Sequence, residues 1–175
     1  HIWNFAIKHE ILWEILSPDE KKRALQFYFE KDLIAYAFSR SHLRLMLSQY
    51  LDIKPKEITF HYTEYGKPFL APSQNINHIQ FNLSHTHNRV VYAVTLNDEL
   101  GIDMEYVKKD IDYEAIAKHF FSDYEQALIQ NASSLEKSYL FYRIWTSKEA
   151  FIKAMGLGLS FSLKDFDVGN FSENS

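Results

Sequence analysis

Cysteine is absent from the 175-residue sequence, which excludes disulfides and thiolate metal sites. Glycine and proline are scarce, at 5 and 4 residues, and no repeat, low-complexity run or obvious linker interrupts the chain. No run of about 18 apolar residues occurs, and no basic stretch followed by an apolar one opens the chain, so neither a membrane span nor a secretory signal is visible. Charge of one sign does not dominate either. Lys and Arg number 19 against 23 Asp and Glu, a net −4, which gives no global reason to expect a nucleic acid as partner. These absences make a soluble cytoplasmic protein, off the membrane, the expectation. What is abundant is apolar and aromatic material, 46% and 16%, with 14 Phe and 11 Tyr. That suffices for a packed core and argues against disorder. The length fits one compact domain or two small lobes sharing a core. The chain begins with His rather than Met and stops on "FSENS", so a trimmed end is expected.

Local patterning predicts a mixture of helices and strands. "IWNFAI" (2–7) alternates like a strand, and "SPDEKKRALQFYF" opens a helix with Ser17 as N-cap, Pro18 at the first helical position and Glu20 closing a capping box. A second helix is predicted over 32–51, a strand over "EITFHY" (57–62), and a turn over 64–68 built on Gly66 and Pro68. "HIQFNLS" and "RVVYAVTL" are β-rich, and a turn at Asn97-Asp98 leads into "LGIDMEYV", read as a strand. Helices are then predicted over 113–120, after Ser122, and over about 134–155 with Ser133 and Glu136 as capping box. "FSLKDFDVG" (161–169) reads as one more strand. The fold class is α+β, or mixed α/β, with antiparallel hairpins in the middle.

Four places carry candidate chemistry. In "GIDMEYV" the strand period puts Ile102 and Met104 on one face and Asp103 and Glu105 on the other. By itself this reads first as the polar face of a half-exposed strand; the sharper reading is a magnesium site, because that ion takes oxygen ligands. In "WTSKEAFIK" the residues Trp145, Glu149 and Lys153 stack on one helical face, with Lys148 about 100° round. A plain Glu–Lys pair explains the spacing, but so large an aromatic on the same row turns the row toward protein. A metal for Glu149 and a phosphate for Lys153 would then serve as partners. In the second helix Arg40 and Arg44 fall within a stripe of Leu33, Tyr36, Ala37, Leu47 and Leu51, open to snorkelling or to phosphate capture. Lys67 in "YGKPF" sits in a turn, where a solvated lysine is the commoner reading and one reaching a ligand the sharper, and Ser84 and His85 in "FNLSHTH" end a strand, where they could bind a phosphate. His85 and His87 lack a third zinc ligand, so a zinc site is not supported.

In sequence order, "YGKPFL", "FNLSHT", "GIDMEYV" and "WTSKEAFIKAMGLGLS" resemble the 4′-phosphopantetheinyl transferase superfamily, of the Sfp-like type in which one chain holds two similar lobes. Its (Gly)-x-Asp-x-Glu and Trp-x-x-Lys-Glu-(Ala/Ser)-x-x-Lys segments are intact, and the resemblance runs from about residue 17 to 168. It implies two pseudo-two-fold-related lobes of antiparallel sheet packed with helices, divided here as 1–100 and 101–175. It implies transfer of the phosphopantetheine arm of coenzyme A to a serine of an acyl or peptidyl carrier protein, releasing adenosine 3′,5′-bisphosphate. Asp103, Glu105 and Glu149 would hold magnesium. Glu149 would be the base toward the carrier serine, and Lys153 would steady or protonate the leaving phosphate. Lys67, Ser84 and His85 match positions touching coenzyme A, and Arg40 and Arg44, with Arg23, lie where basic groups meet the 3′-phosphate. Glu125 aligns with an acidic position sometimes linked to catalysis, and it also completes a capping box with Ser122. Two lobes in one chain imply a monomer. Only one strand is predicted after the late helix, so the second lobe is expected to be trimmed or reduced, with an incomplete sheet and an open edge.

Overall fold

The computed structural model describes residues 1–8, 10–108, 110–156, 158 and 161–168. In chain order the first half contains β1 (Ile2–Ala6), α1 (Pro18–Ala24), α2 (Glu30–Leu51), β2 (Phe60–Tyr62), β3 (Pro68–Leu70), β4 (Ile79–Thr86) and β5 (Arg89–Leu96). The second half contains α3 (Tyr113–Phe120), α4 (Asp123–Asn131) and α5 (Lys137–Met155). β1, β5 and β4 form an antiparallel sheet in that order, and β2 and β3 form a separate antiparallel hairpin. The α+β class expected from patterning is the one observed.

α1 starts where its capping chemistry requires. Ser17 Oγ accepts from the Glu20 amide, and Glu20 Oε2 accepts from the Ser17 amide at 2.9 Å. Ser122 and Glu125 repeat the arrangement at α4. The box expected at Ser133 and Glu136 forms only in part: Glu136 Oε2 accepts from the Ser133 amide at 3.3 Å and from its hydroxyl at 2.6 Å, but the Glu136 amide bonds the Ser133 carbonyl rather than the hydroxyl, and α5 begins only at Lys137. α2 crosses one face of the sheet. Phe38, Leu43, Met46 and Leu47 meet Phe81 from β4 and Val90, Tyr92 and Val94 from β5, the two-residue period of a strand's inward face. The Tyr92 hydroxyl donates to the Ser39 carbonyl at 2.9 Å and pins the helix there. A second core lies among α3, α4 and α5, where Phe121, Phe141 and Trp145 pack ring on ring.

Two expected strands are absent. Residues 101–108 form no strand, because the amides of Ile102 and Met104 bond the side chains of Asn82 and Ser84 rather than a neighbouring backbone. Residues 161–168 form none either, containing only a 3-10 turn at Leu163–Asp165. Their carbonyls at Leu163 and Phe166 accept from the Lys148 ammonium, and the Val168 amide donates to Glu125. Gly169, the last residue of that expectation, lies outside the described residues. Among the described residues no strand therefore follows β5, and no helix is long and apolar enough to cross a membrane.

Candidate active site

Gly101 lets the acidic segment lie directly on α5. A Cβ at this position would sit 1.8 Å from the Ala150 carbonyl oxygen, so only glycine fits. The approach carries Asp103 to α5 and β4. Asp103 Oδ1 accepts from Lys153 Nζ at 2.6 Å and from Ser84 Oγ at 2.9 Å, and the same ammonium donates to Ser84 Oγ at 3.1 Å. Asp103 Oδ2 is buried and has no hydrogen-bond partner.

One turn before Lys153, Glu149 is half-buried. Burial pushes its carboxyl above the ordinary range, the Asp103 charge pushes the same way, Lys153 pulls back, and Glu105 adds a smaller upward push. The three expected acids thus lie in one another's field. They do not form a closed cage: among the described residues no three His, Asp or Glu side chains are arranged as a metal site, and Glu105 is exposed. The donors nevertheless suit a hard divalent cation, being carboxylate oxygens, one of them orphaned in a buried position. Such a group fits here, with remaining positions left for water or a substrate's oxygens.

Two cavities meet at Lys153. One, of about 300 Å³, is lined by Tyr65, Lys67, Asn82, Glu149 and Ile152. The other, of about 510 Å³, is lined by Arg23, Tyr36, Arg40, Tyr62, Ser84 and His85 and carries no acidic side chain. The His85 imidazole stands exposed at the end of β4, but the surrounding protein, and then Lys153, hold it below its usual range, which favours the neutral ring. Lys67 follows the turn at Gly66, whose φ of 82° favours glycine. Its ammonium donates to the Ala154 carbonyl at 2.6 Å near the end of α5 and reaches Glu99 at 3.3 Å.

Several placements differ from expectation. Arg40 and Arg44, read as open to snorkelling or to phosphate capture, share one distant acidic partner: Glu20 accepts from Arg40 Nε at 2.9 Å and from Arg44 Nε at 2.7 Å. Burial works against the charge on Glu20, but the two guanidinium groups outweigh it and hold the carboxyl below its ordinary range. Arg44 is 2% exposed and spends its Nη1 on the carbonyls of Pro55 and Ile58, so it braces the fold and is not a wall of either cavity. Arg40 is a wall, stacked on Phe60 and bonded to the Tyr62 hydroxyl at 2.8 Å. Lys148 and Glu125 form a fully buried ion pair at 2.8 Å, away from both cavities. His87 stacks against Tyr106. Tyr36 and Tyr62 reach the larger cavity although nothing local in the sequence marks them. Their role depends on contacts between α2 and β2, which no spacing rule encodes.

The two halves of the chain match known families separately. Residues 3–97 match the model described as 4′-phosphopantetheinyl transferase, N-terminal, and residues 99–175 match that of the 4′-phosphopantetheinyl transferase superfamily. The chain is similar to the 4′-phosphopantetheinyl transferase HetI of a Nostoc species, 35% identical over 96% of this chain and 73% of the relative. It is similar to the 4′-phosphopantetheinyl transferase Sfp of Bacillus subtilis, 32% identical over 92% of this chain and 69% of that protein. A human L-aminoadipate-semialdehyde dehydrogenase-phosphopantetheinyl transferase is 32% identical over 87% of this chain, which spans about half of it, 53%. The Asp103–Ser84–Lys153 cluster lies where these two matched regions meet, and on matches of this extent the chain belongs to the 4′-phosphopantetheinyl transferase superfamily.

Proposed function

We propose that this protein transfers the phosphopantetheine arm of coenzyme A to a serine hydroxyl of an acyl or peptidyl carrier protein, releasing adenosine 3′,5′-bisphosphate. The observation that carries the reading is the convergence of Asp103, Ser84 and Lys153 from three separate segments, with Glu149 in their field, at the junction of two cavities. Asp103, Glu105 and Glu149 would hold magnesium. That ion would neutralise the pyrophosphate and the charge developing on it.

The chain's own residues account for the rest. The serine oxygen forms a bond to the β-phosphorus of coenzyme A, and the bond from that phosphorus to the bridging oxygen breaks. The bridging oxygen leaves as part of the adenosine bisphosphate. Glu149 takes the serine proton, directly or through water; its raised affinity for protons suits a base. Lys153, free to exchange Asp103 Oδ1 for a phosphate oxygen, meets the leaving charge. Ser84 and His85 bind phosphate oxygens as neutral donors, and Lys67 fixes the Gly66 turn against α5 beside them. Coenzyme A would lie across both cavities. We assign residues 1–100 and 101–175 to two lobes, the second containing α3, α4 and α5, acting as a monomer in the cytoplasm, where coenzyme A and carrier proteins meet.

Mass spectrometry of a mixture of the protein, coenzyme A, magnesium and an apo carrier tests this. The carrier is expected to gain one phosphopantetheine. Consumption of coenzyme A without a carrier would instead indicate a magnesium-dependent hydrolase, and binding with no transfer an inactive coenzyme A or carrier-binding module.

A further inference from the structure

The segment that carries Asp103 and Glu105 lies against the sheet without pairing to it. Among the described residues, 101–108 make no backbone–backbone hydrogen bond. Their amides end on side chains instead: Ile102 on Asn82 Oδ1 at 3.2 Å, Met104 on Ser84 Oγ at 3.3 Å and Lys108 on the Tyr142 hydroxyl at 3.0 Å. The first two partners belong to β4. Ile79, Phe81 and Leu83 of that strand turn to the core beneath α2, and the two-residue period turns Asn82 and Ser84 to the opposite face. An extended chain repeats at the same interval, so the amides at 102 and 104 meet the side chains at 82 and 84 as two rungs with Asp103 between them. Gly101 lies against the Ala150 carbonyl just before the first rung. Ser84 is already tied to the charged cluster, donating to Asp103 Oδ1 and accepting from Lys153. Asn82 is 6% exposed, and its side-chain oxygen is spent on the Ile102 amide. It is also a wall of the smaller cavity, beside Glu149 and Lys153. An amide there supplies the acceptor without setting another carboxylate next to Asp103 and Glu149.

We propose that Asn82 is a positioning residue: by holding the Ile102 amide it sets where Asp103 stands between Ser84 and Lys153. Without that rung the backbone between Gly101 and Met104 loses its first hydrogen bond and is free to turn, and Asp103 and the second rung turn with it. In the transfer reaction the rung keeps one carboxylate of the magnesium site in register with Lys153. The inference rests on the proposed function for what Asp103 holds, while the positioning itself is a property of the free protein.

Amide hydrogen exchange followed by NMR, without ion or coenzyme A, tests the positioning in the wild type and two variants. Asn82→Leu keeps the volume and removes the acceptor, and Asn82→Asp keeps the acceptor. In Asn82→Leu the Ile102 and Met104 amides are expected to exchange about tenfold faster, the worth of one hydrogen bond, although Ser84, the partner of Met104, is untouched. The β5 amides are expected to hold their rates, and Asn82→Asp to keep both segment amides protected. An unchanged Met104 amide in Asn82→Leu overturns the inference, because Asn82 then holds its neighbour and nothing beyond it. Equal acceleration through β5 overturns it too, since the residue then serves the fold as a whole. So does a loss of protection in Asn82→Asp as great as in Asn82→Leu. Calorimetric titration of magnesium adds a second readout: Asn82→Leu is expected to bind the ion about 10–100-fold more weakly, the scale of groups that orient metal ligands. Equal affinity in the wild type and this variant overturns the inference. If the wild type binds no magnesium and modifies no carrier, the proposed function fails, and the exchange pattern still decides the positioning.

Discussion

At Glu149 burial and the Asp103 charge act in the same direction, both resisting ionisation, while Lys153 alone opposes them at close range. The side chain is therefore a strained acid held beside a cavity, and removing its charge should cost the fold nothing. Glu149→Gln keeps the size and hydrogen-bonding capacity of the side chain. It is expected to lower the rate of carrier modification by about 10²–10⁴-fold, the scale of a general base, with a melting temperature equal to or above the wild type. Transfer at an undiminished rate would remove Glu149 from the reaction, and a collapsed melting temperature would assign it to the fold instead. Arg44 is the contrasting residue. Its place in an apolar stripe suggested phosphate capture, yet its Nε and Nη1 end on protein groups and the side chain is buried, so its replacement should act on stability before it acts on substrate.

The late elements are held together by charge where a sheet was expected. Lys148 of α5 joins Glu125 of α4 to the segment 161–168, both side chains being fully buried. Lys148→Met should destabilise by about 3–5 kcal/mol in denaturant melts, because it leaves Glu125 in the interior without its counter-charge. Adding Glu125→Leu should recover most of that loss, and a double variant no better than the single one would show that the pair does not act as a unit. The same elements show which parts of the fold are legible in a sequence. The Ser17–Glu20 and Ser122–Glu125 boxes, α2, β4 and β5 follow from rules that span a few residues, and all are present. Segments 101–108 and 161–168 have the alternation of strands but not their pairing, since their backbone groups are claimed by Asn82, Ser84, Lys148 and Glu125 from distant positions. Site residues divide likewise. Asp103, Glu149, Lys153 and Ser84 are marked by motif and spacing and do converge, whereas Tyr36 and Tyr62 reach the cavity only when α2 and β2 pack together.

For the whole molecule, two carboxyls pull the pH dependence of stability in opposite directions. Glu20, held low against burial by Arg40 and Arg44, contributes stability that is present above the ordinary carboxylate range and is lost as pH falls through its lowered value. Glu149, held high, contributes stability that is present below that range and is lost as pH rises through its raised value. The protein therefore keeps the first contribution above the ordinary carboxylate range and gives up the second as Glu149 ionises, which leaves the repulsion among Asp103, Glu105 and Glu149 offset by Lys153. A divalent cation binding the ionised cluster would relieve it. Magnesium at about a hundred times its dissociation constant contributes about 2.7 kcal/mol, which for a chain of this size raises the melting temperature by roughly 5–10 °C. The rise should be largest near neutral pH, should shrink as acid protonates Glu149, and should be lost in Asp103→Asn and Glu149→Gln without any assay of transfer. An equal rise in those variants would mean that magnesium binds elsewhere on the protein, and the absence of a rise in the wild type would mean that the three acids do not grip the ion in the absence of coenzyme A.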